Sequence, residues 1–111
     1  MPDERGDMAR KMAEVNRLVH EPARLMILTI LYPVEAVDFL YLLNETGLTR
    51  GNLSSHLSKL EEAGYVSIEK TYRGKIPLTL CRLTESGRAA FEEYRRQLKQ
   101  FVDKTFFDTS S

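Results

Sequence analysis

Apolar residues first recur at helical spacing. Met8, Met12, Val15 and Val19 follow a 4-3-4 pattern, which predicts an amphipathic helix over 8–19. His20-Glu21-Pro22 breaks it, and Pro22 suits the first turn of a new helix, where its missing N–H costs nothing. That second helix is expected over 22–32, with Leu25, Ile27, Leu28 and Leu31 as its apolar body and Pro33 as its terminator. A third is expected over 35–46, carrying Val37, Leu40, Tyr41 and Leu43 and ending at Gly47 as a left-handed cap.

A sharper helix signal follows. Thr49 is a capping residue, and Leu48 stands where a hydrophobic staple to Leu53 would form. Leu53, Leu57 and Leu60 then line one face of a helix over 50–63, which stops at Gly64 with Tyr65 placed for a Schellman ending. Two short helices joined by a tight Gly-containing turn form a helix-turn-helix pattern. Beyond Gly64 the period changes to two: Val66-Ser67-Ile68-Glu69-Lys70 reads as a half-buried strand. Tyr72-Arg73-Gly74-Lys75 reads as a turn. Residues 76–83 read as the returning strand, with Ile76, Leu78 and Leu80 on one face. Pro77 argues for an edge or a two-stranded ribbon. Thr84 caps a last helix over 85–104, on which Phe91, Tyr94, Leu98 and Phe101 recur at 3-4-3 spacing; residues 105–111 are expected to fray.

The fold class expected is therefore α+β, mainly α, with a 111-residue chain forming essentially one domain. An N-terminal helical arm (1–19) precedes a helix-turn-helix and hairpin core (20–84) and a C-terminal helix (85–104). With 42% apolar and 29% charged residues the chain is globular. Its apolar stretches are too short for a membrane helix, and its polar start does not resemble a signal peptide. The single cysteine, Cys81, cannot form an internal disulfide, so a cytoplasmic setting is expected. Net charge is zero, which argues against a simple nucleic-acid binder. The charges are uneven, however: residues 49–82 carry six basic and three acidic groups, whereas residues 1–48 carry five and eight.

The segment 48–66, together with His20-Glu21-Pro22-Ala23-Arg24-Leu25 upstream and Leu83-Thr84-Glu85-Ser86-Gly87-Arg88 downstream, resembles the prokaryotic winged helix-turn-helix regulators of the MarR-like and ArsR-like families. The resemblance implies that helix 50–63 enters the major groove of double-stranded DNA. Opposite its leucine stripe lie Gly51, Asn52, Ser55, Ser58 and Lys59, with Arg50, Ser54 and His56 at the flanks. Asn, Ser and Lys are suited to base edges and phosphate, Gly51 allows close backbone approach, and His56 suits a phosphate. The hairpin would be the wing, with Arg73 and Lys75 gripping phosphate or the minor groove, supported by Lys70 and Tyr72. The same polar face also fits an ordinary solvated helix, and the turn-tip cations fit simple solubilising charge.

The stripe Phe91, Tyr94, Leu98 and Phe101, aided by Met8, Met12 and Val15, is expected to form a homodimer interface; the alternative is packing within its own chain. A two-fold dimer would read a pseudo-palindromic operator with half-sites about 34 Å apart. Three further readings are weaker. One is a winged-helix protein-interaction module that does not bind DNA; another adds a small-molecule effector seated between the dimerisation helices and the core. An enzyme fits least, because no phosphate loop, metal cluster or activated nucleophile is present in the pattern. His20, His56 and Cys81 are too dispersed to form a metal site, no cofactor is expected, and Cys81 reads as a small strand residue ahead of a redox switch.

Overall fold

The structure, a computed structural model, describes residues 16–106, with side chains through Asp103. Among these residues are four helices and a three-stranded antiparallel sheet in the order α1 (Pro22–Leu31), β1 (Val37–Asp38), α2 (Phe39–Thr46), α3 (Arg50–Glu62), β2 (Val66–Arg73), β3 (Ile76–Leu83) and α4 (Glu85–Phe106). This is the winged-helix arrangement. Each helix boundary has a local cause. Pro22 opens α1 behind the Glu21 side chain, which accepts from the Arg24 backbone N–H at 2.8 Å. Thr49 caps α3 by accepting from Asn52 N at 3.1 Å. Gly64, at φ +80°, closes α3 with both Schellman bonds, Tyr65 N to Leu60 O and Gly64 N to Glu61 O, each 2.9 Å.

One core gathers Ile27, Leu28 and Leu31 of α1, Leu42 of α2, Leu53, Leu57 and Leu60 of α3, Val66 and Cys81 of the sheet, and Phe91 and Tyr94 of α4. The leucine stripe of α3 lies wholly within it.

Three expectations need correction. Residues 16–19 form a single turn, not the end of a helix. The Asn16 carboxamide oxygen accepts from Leu18 N at 3.0 Å and Val19 N at 3.3 Å, a local pairing that competes with a regular helix. The expected positions Met8, Met12 and Val15 lie outside the described residues. Secondly, residues 35–38 are not helical. Val37–Asp38 instead pairs with Cys81 and Leu80, so β3 is the central strand of three and the two-stranded ribbon gains an edge. Asp38 then caps α2 by accepting from Tyr41 N at 2.8 Å. Two residues are too few to show a period.

On β3, Ile76, Leu78 and Leu80 share a face as expected, and Cys81 and Leu83, on the other face, supply the core contacts. Their cross-strand partners Ile68 and Val66 set this register. Pro77 pairs with Tyr72 beyond the reach of β1, where no neighbour needs its missing N–H. The third correction concerns α4, whose stripe is expected to stand exposed. Phe91 and Tyr94 are instead only 5% and 3% exposed, packed in their own chain, and Leu98 leans on the same core. Phe101 is half-buried farther out. No breaker precedes Phe106, and the helix runs two residues past the expected end.

Two joints near its start hold α4 to the rest, and farther along the Tyr94 hydroxyl meets His20 Nδ1 at 2.8 Å. At its start, the Thr84 hydroxyl donates to Gly64 O at 2.6 Å, Thr84 N donates to Tyr65 O at 3.0 Å, and the same hydroxyl accepts from Gly87 N at 2.9 Å. One turn on, Arg88 donates to Tyr32 O at 3.1 Å and lies over the Tyr32 ring, which also stacks on Phe91 at 5.3 Å. Gly87 is buried where any Cβ would overlap the Tyr65 carbonyl and come within 2.9 Å of a Leu83 methyl. Gly87→Ala should therefore destabilise the fold by about 2–3 kcal/mol in urea denaturation. A loss below about 0.5 kcal/mol, typical of an unconstrained surface site, would show that α4 does not lie this close to Tyr65.

Candidate nucleic-acid interface

The orientation of α3 follows from its leucines. With Leu53, Leu57 and Leu60 inward, Arg50, Gly51, Asn52, Ser54, Ser55, Ser58 and Lys59 are all exposed. The helix begins at an exposed end, where free backbone N–H groups favour an anion, and Arg50 stands at its first position.

The hairpin carries the second group. A two-residue turn, with Gly74 at φ +65°, joins Arg73 to Ile76. Lys70, Tyr72, Arg73 and Lys75 are all exposed, Tyr72 to 69%. Strand alternation divides them. Lys70 and Tyr72 continue the sheet face that carries Val66 and Ile68 to the core, while Arg73 shares the opposite face with Ile76. On that opposite face Arg82 lies 3.8 Å from Glu69, so one of the basic groups of this region is already paired. The cations Arg50, Lys59, Lys70, Arg73 and Lys75 remain on α3 and the hairpin.

His56 departs from the pattern. It is half-buried, and its Nδ1 faces α1, 3.2 Å from Arg24 Nη1 and 3.7 Å from the Glu21 carboxylate. Arg24 in turn donates through Nε to Leu18 O at 2.6 Å. Burial pushes the Glu21 carboxyl up, but the backbone N–H groups of Arg24 and Ala23, with the Arg24 guanidinium alongside, outweigh it. The group is held below its ordinary value. Sequence reasoning passed over Arg24 and Glu21, since a cap and a buried guanidinium one helix away show no period.

A family model described as a winged helix DNA-binding domain matches residues 23–102. The chain belongs to this family. A protein of Methanocaldococcus jannaschii, itself uncharacterised, is 38% identical over 85 residues, covering 76% of this chain and 91% of the relative. An HTH-type transcriptional regulator of Bacillus subtilis is 27% identical over 89 residues, covering 80% of this chain and 54% of the regulator. Among solved structures, a transcriptional regulator homologue from Pyrococcus horikoshii superposes with TM-score 0.83 at 26% identity, over 91% of this chain and 99% of that one. A MarR-family regulator from Silicibacter pomeroyi shares the fold at TM-score 0.62 and 20% identity, over 93% and 68%. The winged helix and the MarR-like likeness expected from segments 20–25, 48–66 and 83–88 are thus both present.

Two other features of the winged-helix chain bear on function. An open groove of about 620 Å³ runs between Tyr32 and the outer half of α4, walled by Arg95, Leu98, Lys99 and Val102. Cys81 is fully buried, and burial, with smaller contributions from Asp38 and Glu61, pushes its thiol up to about 11. At neutral pH it is a thiol, not a reactive thiolate. Among the described residues no His, Cys, Asp and Glu side chains cluster as a metal site, and no helix is long and apolar enough to cross a membrane.

The depressed Glu21 pKa has a sign that can be checked. A carboxyl held below its unfolded value contributes stability at neutral pH and loses it as pH falls through the folded value. Glu21→Ala should cost about 1 kcal/mol at pH 7, mainly as a lost cap. The gap from wild type should narrow in denaturation curves taken toward about pH 3. A gap independent of pH would mean that the ionised carboxylate is not what holds α1 and Arg24.

Proposed function

We propose that this protein is a sequence-specific, double-stranded DNA-binding transcriptional regulator that acts as a homodimer in the cytoplasm, with no catalytic role. The observation that carries this reading is the orientation of α3: its leucines are locked in the core while Arg50, Gly51, Asn52, Ser54, Ser55, Ser58 and Lys59 share the solvent side. Family membership and the fold shared with known regulators support it. In this reading α3 lies in the major groove. Asn52 and Ser55 address base edges, and Ser58 and Lys59 reach base or phosphate. Arg50 and Ser54 meet phosphate at the helix start, and Gly51 lets the backbone approach. Lys70, Tyr72, Arg73 and Lys75 on the hairpin hold the backbone or minor groove.

The homodimer rests on the outer half of α4. At about 33 Å the helix outruns the core it covers. Beyond Tyr94 its apolar residues Leu98, Phe101 and Val102 are only partly covered. A second copy would complete their burial and set two α3 helices about 34 Å apart on a pseudo-palindromic site. Phe91 and Tyr94 would brace this interface from inside the chain. The groove beside Tyr32, lined by Glu92 and Asp103 as well as by Arg95, Arg96 and Lys99, offers room for a small-molecule effector, in keeping with one structural neighbour solved with 4-hydroxyphenylacetate.

Fluorescence anisotropy against the DNA upstream of its own coding sequence tests the reading. Arg73→Ala should weaken operator and random duplex alike and reduce the salt slope by about one. Asn52→Ala should lose operator affinity selectively, by about 1–3 kcal/mol. Equal losses on both duplexes for Asn52→Ala would contradict its role in base reading, and no binding at low salt would favour the protein-interaction module. In sedimentation the wild type should be a dimer at micromolar concentration and Val102→Asp a monomer; a monomeric wild type would remove the dimer.

A further inference from the structure

Arg24 sits in the first turn of α1 with a side chain only 11% exposed. Its Nε donates to Leu18 O, and its Nη1 meets His56 Nδ1 at 3.2 Å. A guanidinium has only donors and does not deprotonate in a protein, so the direction of that contact is decided by chemistry: Arg24 donates and Nδ1 accepts. An accepting Nδ1 carries no proton. The ring is then neutral, with its hydrogen on Nε2. The Glu21 carboxylate is 3.7 Å from the same nitrogen, too far for a hydrogen bond to displace Arg24. Glu21 and Arg24 are the charged groups that meet the ring from α1, and on α3 its neighbours at i−4 and i+3 are Asn52 and Lys59. The His56 side chain keeps 20% of its surface open, and among the described residues Nε2 takes no hydrogen bond.

We infer that Arg24 is a positioning residue for DNA binding that acts through His56, holding the ring as the Nε2–H tautomer so that this edge donates to a DNA phosphate beside Lys59. The inference rests on the reading of α3 as the DNA-binding helix. It gives the buried cation a task beyond tying α1 to Leu18: a neutral imidazole has one donor, and Arg24 selects the nitrogen that bears it. The contact carries no base preference, so it strengthens binding to operator and random duplex together.

Two readouts test it. Long-range ¹H–¹⁵N NMR of the free wild-type protein at neutral pH should show His56 neutral with its proton on Nε2, and Arg24→Gln should convert it to a tautomer mixture. Anisotropy should then separate two folded variants. His56→Asn keeps an acceptor where Nδ1 stood but ends short of Nε2, and should bind both duplexes about tenfold more weakly. His56→Gln carries an N–H to the Nε2 region, and should stay within about twofold of wild type. A wild-type Nδ1–H tautomer overturns the inference without touching the DNA-binding reading, as does His56→Asn binding like wild type. A wild type that binds no DNA overturns the underlying reading, and the phosphate contact with it, whatever the tautomer.

Discussion

Burial of Leu53, Leu57 and Leu60 is the constraint on which the rest of the molecule depends. The three side chains are between 0 and 2% exposed and sit against α1, α2 and the sheet. Burying such a stripe contributes several kcal/mol, at about 2 kcal/mol for each leucine. Any rotation of α3 about its axis would give this up, so the helix has one azimuth. The polar residues between the leucines have no comparable packing of their own; they face solvent because the leucines cannot. The caps work to the same end. Thr49 fixes where the helix begins, and the Schellman turn at Gly64 fixes where the chain leaves it for β2.

That exit is also where α4 is attached. Tyr65 O receives Thr84 N, its carbonyl lies against Gly87, and its phenol oxygen accepts from the Asn16 carboxamide at 2.8 Å. Asn16 precedes α1, Tyr65 follows α3, and Thr84 precedes α4, so a single residue ties the exit of α3 to the approaches of two other helices. The Tyr32 joint adds a second tie, in which Arg88 caps the α1 carbonyl end while the ring stacks on Phe91 and its hydroxyl donates to Glu92 at 3.0 Å. A displacement of α4 would therefore act directly on the base of α3 and the hairpin. No flexible linker absorbs it: Thr84 alone separates β3 from α4.

Much of this was legible before any coordinates. The leucine stripe, Thr49, Gly64 and the change from a 3.6 to a 2.0 period each announce a boundary through a strong local signal. The polar face of α3 then followed by geometry alone. What failed were features set by distant partners. Strand β1 is two residues long and exists because Cys81 and Leu80 are there to pair with it. Which face of β3 meets the core shows no signal in the sequence, because Cys81, small and central, outranks Ile76 and Leu80 once Val66 and Ile68 fix the register. Phe91 and Tyr94 resembled an interface stripe because a helical period cannot show whether its partner is another chain or the same one. His56 counts with the polar face by spacing, yet its Nδ1 is engaged by Arg24, 32 positions earlier.

If one face, made by α3 and the hairpin, is the DNA surface, amide chemical shifts will show it when ¹⁵N-labelled protein is titrated with a duplex from its own upstream region. The largest shifts should fall on residues 49–59 and 70–75, while Leu40 and Tyr41, exposed on α2, stay near their free values. Shifts centred on α2 or on the outer half of α4, with 49–59 unmoved, would contradict it.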